Sequence, residues 1–268
     1  MKPLRILGTL GVVPALLSAS LACRPAAERV AVNGSPAVAV GADTILPASG
    51  QGAPASAFPA PARDVADIVA PRWINEDDRD DAGEFTTVAR LARLRPGLAV
   101  ADIGAGDGYY VARLSKLVGS SGLVYGQDIM PDYLGMLQRR VERDGLSNVR
   151  VVMGEPHDPR LPAASVDVAL MIHMYHEITQ PFALLWNLVG AMKPGGRLVI
   201  LDLDRPTFGH GTPRMLLDCE LRRVGYQKLS FTRTGPEEYV AIYTAPVLVA
   251  RPTPTAVSAS LRASPCRP

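Results

Sequence analysis

Cysteine is scarce in this chain of 268 residues. The three cysteines, Cys23, Cys219 and Cys266, form no C-x-x-C pair, and their spacing is not that of a metal-ligand set. The sequence therefore predicts no metal site. The length suffices for one α/β domain with a sizeable core and additional tails.

A strong charge of either sign is also missing. The formal net charge is +2, and the basic residues are scattered along the chain. The neighbouring pairs, Arg139 with Arg140 and Arg222 with Arg223, fall on helical stretches, where such residues usually form a solvated face. The composition therefore predicts no nucleic-acid partner.

An unbroken apolar run of membrane-spanning length is absent near the N-terminus, because Pro14 interrupts the apolar segment of residues 6–22. Basic residues precede this segment and small residues follow it, as in a secretory signal peptide over residues 1–23. The stretch Ser20-Leu-Ala-Cys23 resembles a bacterial lipoprotein cleavage box, although that box prefers leucine where Ser20 stands. Three alternatives remain open: a lipoprotein lipidated on Cys23, a secreted protein, or an uncleaved anchor. Each predicts an exported chain, either periplasmic or anchored on the outer side of the inner membrane.

Small residues and proline dominate two flanking segments. Residues 24–62 are rich in Ala, Pro and Gly and are predicted to form a linker. Residues 252–268 have the same character and are predicted to form a disordered tail. The folded domain is therefore expected to span residues 63–251.

Three glycines at alternate positions mark the centre of this domain. The sequence Asp102-Ile-Gly104-Ala-Gly106-Asp-Gly108 follows a short apolar strand, residues 98–103, and precedes a helical apolar pattern. Glycine lets the backbone of such a turn approach a ligand closely. Dinucleotide-binding turns place a pyrophosphate at the following helix. The carboxylates here better suit a ligand with a positive charge, such as an amino-acid ammonium group.

This glycine turn resembles the first motif of the class I S-adenosylmethionine-dependent methyltransferases. The resemblance continues in register through an acid at the end of the second strand, Asp128, and through the Lys193-Pro-Gly-Gly turn. It spans roughly residues 84–245 and is nearest to the small-molecule branch that includes the ubiquinone and menaquinone biosynthesis methyltransferases. The resemblance implies S-adenosylmethionine as the cofactor and methyl transfer as the activity.

Strand and helix patterns alternate through most of the domain, which predicts a doubly wound, mostly parallel α/β sheet with helices on both faces. The pattern then changes to a helix over residues 212–224 and two strands, over residues 226–232 and 238–244. Together with the resemblance, this change predicts a seven-stranded sheet with a C-terminal antiparallel hairpin, the Rossmann-like methyltransferase fold. A dehydrogenase would continue with another parallel unit.

The resemblance also implies a set of cofactor-binding residues. Asp102 would lie near the methionine ammonium group, Asp128 would accept from the ribose hydroxyls, and Ile129 would pack on the adenine. Pro156 departs from the family, whose members often donate a backbone N–H to adenine there, because proline has none. The complete predicted set is Asp102, Gly104, Ala105, Gly106, Gly108, Asp128, Ile129, Glu155, Asp158 and His173.

Methyl transfer requires no catalytic acid or base unless the acceptor nucleophile carries a proton, since proximity, alignment and desolvation supply most of the effect. His173 and His176, after the fourth strand, are the candidate general bases. The alternative is that they form hydrogen bonds within their own turn. Their H-x-x-H spacing is no metal motif without further ligands. Asp202, Asp204 and His210 are the other polar candidates.

An acidic segment precedes the glycine turn. Residues 73–81 are predicted to form an acidic loop, followed by an amphipathic helix over residues 84–94. In related folds such a segment forms a lid over the cofactor. An ordinary solvated loop is the alternative.

Several acceptor classes lack their motifs in this sequence. Absent from the catalytic domain are the (Asn/Asp)-Pro-Pro-aromatic motif of amino-group DNA methyltransferases, the Pro-Cys nucleophile of cytosine enzymes and the thiol set of arsenic methyltransferases. The predicted acceptor is therefore a small molecule or a lipid-like molecule. One alternative is an exported ligand-binding protein with a methyltransferase fold and no turnover, because S-adenosylmethionine is made in the cytoplasm. An oxidoreductase is a further alternative function.

Overall fold

The computed structural model describes residues 52–68 and 75–268. The predicted signal peptide, with Cys23, and most of the predicted linker lie outside the described residues. Among the residues that the structure describes, no helix is long and apolar enough to cross a bilayer.

Seven strands form one sheet in the order β3-β2-β1-β4-β5-β7-β6. The pairs β1–β2, β1–β4, β2–β3 and β4–β5 are parallel, and β7 runs antiparallel to both β5 and β6. The strands are β1 (Ala99–Ile103), β2 (Leu123–Asp128), β3 (Val149–Met153), β4 (Val166–Ile172), β5 (Met192–Leu203), β6 (Gln227–Arg233) and β7 (Glu238–Thr244). The predicted fold class and the predicted antiparallel hairpin are confirmed.

Helices cover both faces of this sheet. They are α1 (Glu76–Asp81), α2 (Glu84–Leu91), α3 (Tyr109–Val118), α4 (Pro131–Arg143), α5 (Pro181–Ala191), α6 (Arg214–Arg223) and α7 (Pro254–Ala263). Apolar residues of α2, α3 and α4 share one core cluster with Val100, and those of α5, α6 and α7 share another with Ala101. Neighbouring residues of β1 thus point to opposite faces, as a pleated strand requires. All five β1 residues are buried, because a central parallel strand is covered on both sides.

The Lys193-Pro-Gly-Gly stretch, predicted as a turn, is part of β5. Val166 pairs with Met192 and Val168 pairs with Arg197, so β5 contains a bulge between Met192 and Arg197. A bulge accommodates the extra residues that a regular ladder could not.

The prediction of a disordered tail over residues 252–268 is wrong. Thr253 caps α7 by accepting a hydrogen bond from the N–H of Ala256, and Val257 and Leu261 are buried in the core. A disulfide bond joins Cys266, which is itself buried, to Cys219 of α6. Two apolar side chains and one covalent bond thus anchor a segment whose composition is otherwise that of a linker.

The predicted linker is also wrong at its described end. Phe58 lies in the core with its ring 6.0 Å from that of Trp186, and the N–H of Ala53 donates to the side-chain oxygen of Asn187. Arg63, at the predicted start of the domain, donates from Nε to Glu220 at 3.0 Å, and both side chains are fully buried. The folded unit therefore includes residues 52–62, which pack against α5 and α7.

Candidate functional site

A cavity of about 900 Å³ opens at the carboxyl ends of β1, β2 and β4. Ligands bind at this edge in doubly wound sheets, where the strand order reverses. We call its two walls the glycine side (residues 102–107, 109–110, 127–129 and 155–156) and the histidine side (residues 172–174, 176–178, 203, 205 and 209–210). We call α1 and α2, which adjoin both walls, the acidic cover.

The glycine side is a turn fixed against the end of β2. The N–H groups of Gly104 and Ala105 both donate to the carbonyl oxygen of Gln127, at 2.8 and 2.9 Å. Gly104 and Gly106 have φ values of 73° and 56°, a left-handed conformation that favours glycine. A Cβ added to Gly104 would lie 3.1 Å from the side chain of Met174. Gly104 and Gly106 therefore place backbone, without a side chain, against the cavity.

Asp128 organises this turn. Its carboxylate accepts from the backbone N–H groups of Gly106, Ile129 and Met130, at 2.9, 2.7 and 2.9 Å. Burial nevertheless raises the pKa of Asp128 above its usual value, although these three hydrogen bonds favour the charged form. One oxygen serves Gly106 alone, and since a carboxylate oxygen can accept twice, it retains capacity for a ligand hydroxyl.

Asp102 is the second acid on the glycine side. Burial raises the pKa of Asp102 to about 7, with a further contribution from the charge of Asp128, while Arg79 opposes the shift. None of the hydrogen bonds among the described residues involves its carboxylate. A buried acid of this kind is stabilised by a cationic ligand group.

Two predicted ligand residues do not line the cavity. Gly108 caps α3, and a Cβ there would lie 2.5 Å from Leu137, so packing against α4 explains this glycine. Asp158 accepts from the N–H of Arg160 and closes a tight turn with Glu155 through two backbone hydrogen bonds. Glu155 itself does line the cavity, paired with Arg160 and His157.

The acidic cover replaces the predicted acidic loop over its described residues. Glu84 receives hydrogen bonds from Arg79 at 2.5 Å and from Tyr110 at 2.9 Å, and it lies 3.3 Å from Nε2 of His173. Although burial opposes the shift, the contacts with His173 and Arg79 lower the pKa of Glu84 to about 2. The charge of Glu84 thus joins the cover to both walls of the cavity.

A second set of contacts holds α1 against α3. The guanidinium groups of Arg79 and Arg113 lie over the ring of Tyr109, 3.9 and 3.7 Å from its centroid. The hydroxyl of Tyr109 donates to Asp80, which also pairs with Arg113. Glu76 pairs with Arg140 of α4 at 2.6 Å, outside the cavity. Glu76, Asp80 and Glu84 are therefore paired, whereas Asp77, Asp78 and Asp81 are exposed. The paired acids support the lid alternative.

On the histidine side, His173 directly follows β4 and has a left-handed backbone, with φ 52°. Its N–H donates to the carbonyl of Leu201, and its ring faces Glu84. A non-glycine residue in this conformation is uncommon and such strain clusters at functional sites.

His176 is buried and reaches Asp202 of β5, with Nδ1 at 3.0 Å from the carboxylate. Asp202 is completely buried and also accepts from the hydroxyl of Thr212 at 2.7 Å and from the N–H of Leu203. Since the carboxylate is an acceptor, Nδ1 carries the hydrogen and Nε2 presents its lone pair. Glu177 and His210 line the cavity beside it. Asp204, by contrast, pairs with Arg233 and lies outside the lining residues.

The structure thus brings the predicted site residues together in the cavity lining, except Gly108, Asp158 and Asp204. Asp202 lies behind His176 rather than in the lining. Sequence reasoning missed Arg79, Glu84 and Tyr110 as lining residues and Glu177 as a neighbour of His210. The signal for the cover was a run of acids around the single Arg79, and such a run does not identify partners.

A family model described as a methyltransferase domain matches residues 100–196. A protein-L-isoaspartate O-methyltransferase of Pyrococcus horikoshii is 32% identical over 110 residues, covering 41% of this chain and 46% of that protein. The ubiquinone/menaquinone biosynthesis C-methyltransferase UbiE of Vibrio vulnificus is 30% identical over 115 residues, covering 42% of this chain and 44% of that protein. The chain therefore spans less than half the length of these curated relatives.

Among solved structures, a SAM-dependent methyltransferase of Aquifex aeolicus superposes with a TM-score of 0.59 at 26% identity. That match covers 63% of this chain and 93% of the other. The [4+2]-cyclase SpnF, at 16% identity and a TM-score of 0.53, shares the fold alone.

Proposed function

We propose that this chain, which belongs to the class I S-adenosylmethionine-dependent methyltransferases, transfers a methyl group to a small acceptor bound on the histidine side of its cavity. The observation that carries the proposal is one cavity with two different walls. The glycine side fits the methyl donor of this family, and the histidine side faces it with polar and apolar groups that the donor does not require.

The glycine side fits S-adenosylmethionine by its chemistry. Asp102, buried and without a hydrogen bond from the described residues, matches a ligand ammonium group. Asp128 retains acceptor capacity for ribose hydroxyls, and Ile129 offers an apolar surface beside it. When bound, the cofactor supplies an electrophilic methyl carbon on a sulfonium centre.

The histidine side supports a small acceptor with an apolar body and one ionisable group. Its apolar lining consists of Ile172, Met174, Ile178, Leu184 and Leu203, with Val65 and Ala66 from the segment that precedes the acidic cover. His176, Glu177 and His210 supply polar atoms within this lining. Pockets that bind small molecules combine such an apolar lining with a few oriented polar groups.

The protein's own residues would orient the acceptor, exclude water and handle its proton. The ion pairs of the acidic cover hold α1 and α2 beside the cavity, which limits the access of water. Asp202 fixes the ring of His176 so that Nε2 is the acceptor atom. A protonated nucleophile bound next to Nε2 would lose its proton toward that atom.

The first test is cofactor binding by the full chain. We expect calorimetric titration to show binding of S-adenosylmethionine and none of NAD, which separates the methyltransferase from the oxidoreductase. Incubation with a metabolite extract and labelled cofactor should then produce S-adenosylhomocysteine and a labelled small molecule. Label in protein alone would contradict the small acceptor. Binding without turnover on any extract would instead support the ligand-binding alternative.

We also propose that the chain is exported. The disulfide between Cys219 and Cys266 supports this, because structural disulfides persist in oxidising compartments and are rare in the cytosol. We expect protein taken from cells under acid quench to resist thiol alkylation at both cysteines until it is reduced. The intact mass should correspond to a chain that starts at or near Cys23. A membrane-extracted protein that still carries Met1 would contradict cleavage.

A further inference from the structure

Three side chains that are not in the predicted cofactor-binding set converge on the histidine side. His176 and Glu177 lie in the 3₁₀ turn after β4 (Tyr175–Glu177), and His210 follows the 3₁₀ turn after β5 (Thr207–Gly209). One nitrogen of each histidine and one carboxylate oxygen of Glu177 lie within 4.8 Å of one another. Two histidines and one glutamate form a common ligand set of catalytic zinc, which leaves a fourth position open.

A buried carboxylate stands behind this cluster. Asp202 accepts from Nδ1 of His176 and is held in turn by Thr212 and by the N–H of Leu203. Histidines that bind metal through one ring nitrogen usually donate from the other to such a carboxylate, which fixes the ring and makes it a better ligand. Because Nδ1 of His176 is bound to Asp202, Nε2 is the ring nitrogen that would bind a metal ion.

The backbone conformation of His210 also places its ring beside that of His176. Its φ of 56° is left-handed, and its N–H donates to the carbonyl of Thr207 at 3.0 Å. This conformation brings the ring of His210 edge-on to that of His176, with 5.5 Å between the ring centroids. Strain at a non-glycine residue persists where the surroundings impose it, as they do at functional sites.

We propose that His176, Glu177 and His210 bind a divalent transition metal, with zinc the best match to two imidazoles and one carboxylate. The open position would face the cavity that all three residues line. A second cluster, Glu84 with His173 and Glu238, matches zinc less well, because it offers one imidazole and two carboxylates.

The role of the metal rests on the methyl transfer of the proposed function, although its binding does not. With the metal bound, Nε2 of His176 is a ligand and accepts no proton, so the metal takes over the ionisation of the acceptor. A hydroxyl or thiol group of the acceptor would enter the open position. Its bond to hydrogen would break, its oxygen or sulfur would bond to the metal, and the proton would pass to solvent. The metal would thus select acceptors with an ionisable oxygen or sulfur and hold them as anions.

The test is zinc titration of the full chain, without a polyhistidine tag and after removal of metals by a chelator. We expect one zinc ion per chain with a Kd of about 1 μM or tighter. Cobalt in its place should show the intense visible absorption of a four-coordinate site. His176→Ala and His210→Ala should each weaken binding by more than about 100-fold, and Asp202→Asn by about 10- to 100-fold.

The chain provides a matched control, because it has four histidines and His157 lies outside the cavity lining. His157→Ala should bind zinc as the unaltered protein does. Circular dichroism should show whether each histidine variant is folded. If one is not, Glu177→Gln, which is a smaller change, tests the same metal site. Failure of the unaltered chain to bind zinc, or equal binding by the His176, His210 and Glu177 variants, would overturn the proposal. S-adenosylmethionine titration of the same samples shows separately whether the proposed function stands.

Discussion

The glycine side of the cavity comes from neighbouring loops after β1, β2 and β3. The acidic cover and the histidine side instead combine residues that are far apart in the chain, from Glu76 to His210. On the glycine side, backbone hydrogen bonds between adjacent strands hold the loop, as in the bonds from Gly104 and Ala105 to Gln127. On the histidine side, charged side chains make the connections, as between His173 and Glu84 or His176 and Asp202.

The sheet therefore holds the glycine side in place, whereas side-chain pairs hold the histidine side and the acidic cover. Backbone contacts between adjacent strands persist under most single substitutions. Contacts between distant charged side chains depend on each partner, since one deletion leaves a buried charge unpaired. We therefore expect cofactor affinity to respond strongly to the glycine side and weakly to the acidic cover.

Gly106→Val should have the largest effect. A β-branched side chain at φ 56° is strained and would extend from the turn toward the ligand. We expect cofactor binding to be lost, by more than about 100-fold, with a stability cost of about 1–3 kcal/mol. Gly145→Val is the control, because Gly145 has φ 62° and open space around it. Retained affinity in a folded Gly106 variant would mean that the turn only connects a strand and a helix.

Asp128→Asn should have the next largest effect. Asparagine has one acceptor oxygen and cannot serve Gly106, Ile129 and a ligand hydroxyl together. We expect a loss of about 1–3 kcal/mol in calorimetric binding free energy, the cost of unpaired buried polar groups. Asp132→Asn, in the exposed first turn of α4, should leave the affinity unchanged. An unchanged affinity of the Asp128→Asn variant would show that Asp128 does not bind the ribose hydroxyls of the cofactor.

The pH dependence of cofactor affinity should follow Asp102. A ligand ammonium group prefers the ionised carboxylate, so binding releases the proton that Asp102 holds below its pKa of about 7. Affinity should rise roughly tenfold between about pH 6 and about pH 7.5. The raised pKa also means that the free protein loses stability as the pH rises from about 4 through about 7. Asp102→Asn should flatten both profiles. A persistent slope in that variant would assign the proton elsewhere.

Glu84→Gln should have the smallest effect on the cofactor. Removing this charge weakens the contacts with Arg79 and His173 but leaves the glycine turn intact. We expect affinity to fall less than about tenfold, while hydrogen exchange in α1 and after β4 accelerates. Glu76→Gln, which breaks a pair with Arg140 outside the cavity, should loosen α1 alone. A loss as large as that of Gly106→Val would show that the cover belongs to the cofactor site.

The sequence predicted the glycine side because its residues form one contiguous motif whose chemistry is visible in a few letters. It could not predict that Gly108 serves the packing of Leu137 rather than a ligand, since both uses require the same residue type. The partners of Glu84 and Asp202 are far away in the chain, and their pairing depends on the completed sheet. Composition also failed for the tail, because two apolar residues and one disulfide outweigh a low average hydrophobicity.

The Arg63–Glu220 pair connects residues that are 157 positions apart and excludes water from both partners. The conformational entropy that is lost on closing so long a loop must be offset by contacts already made. The pair is therefore favourable only after the sheet and α6 have formed. Arg63 also donates to the carbonyls of Tyr175 and His176. We therefore expect the histidine side to reach its final form last during folding, after the glycine side has become able to bind its ligand.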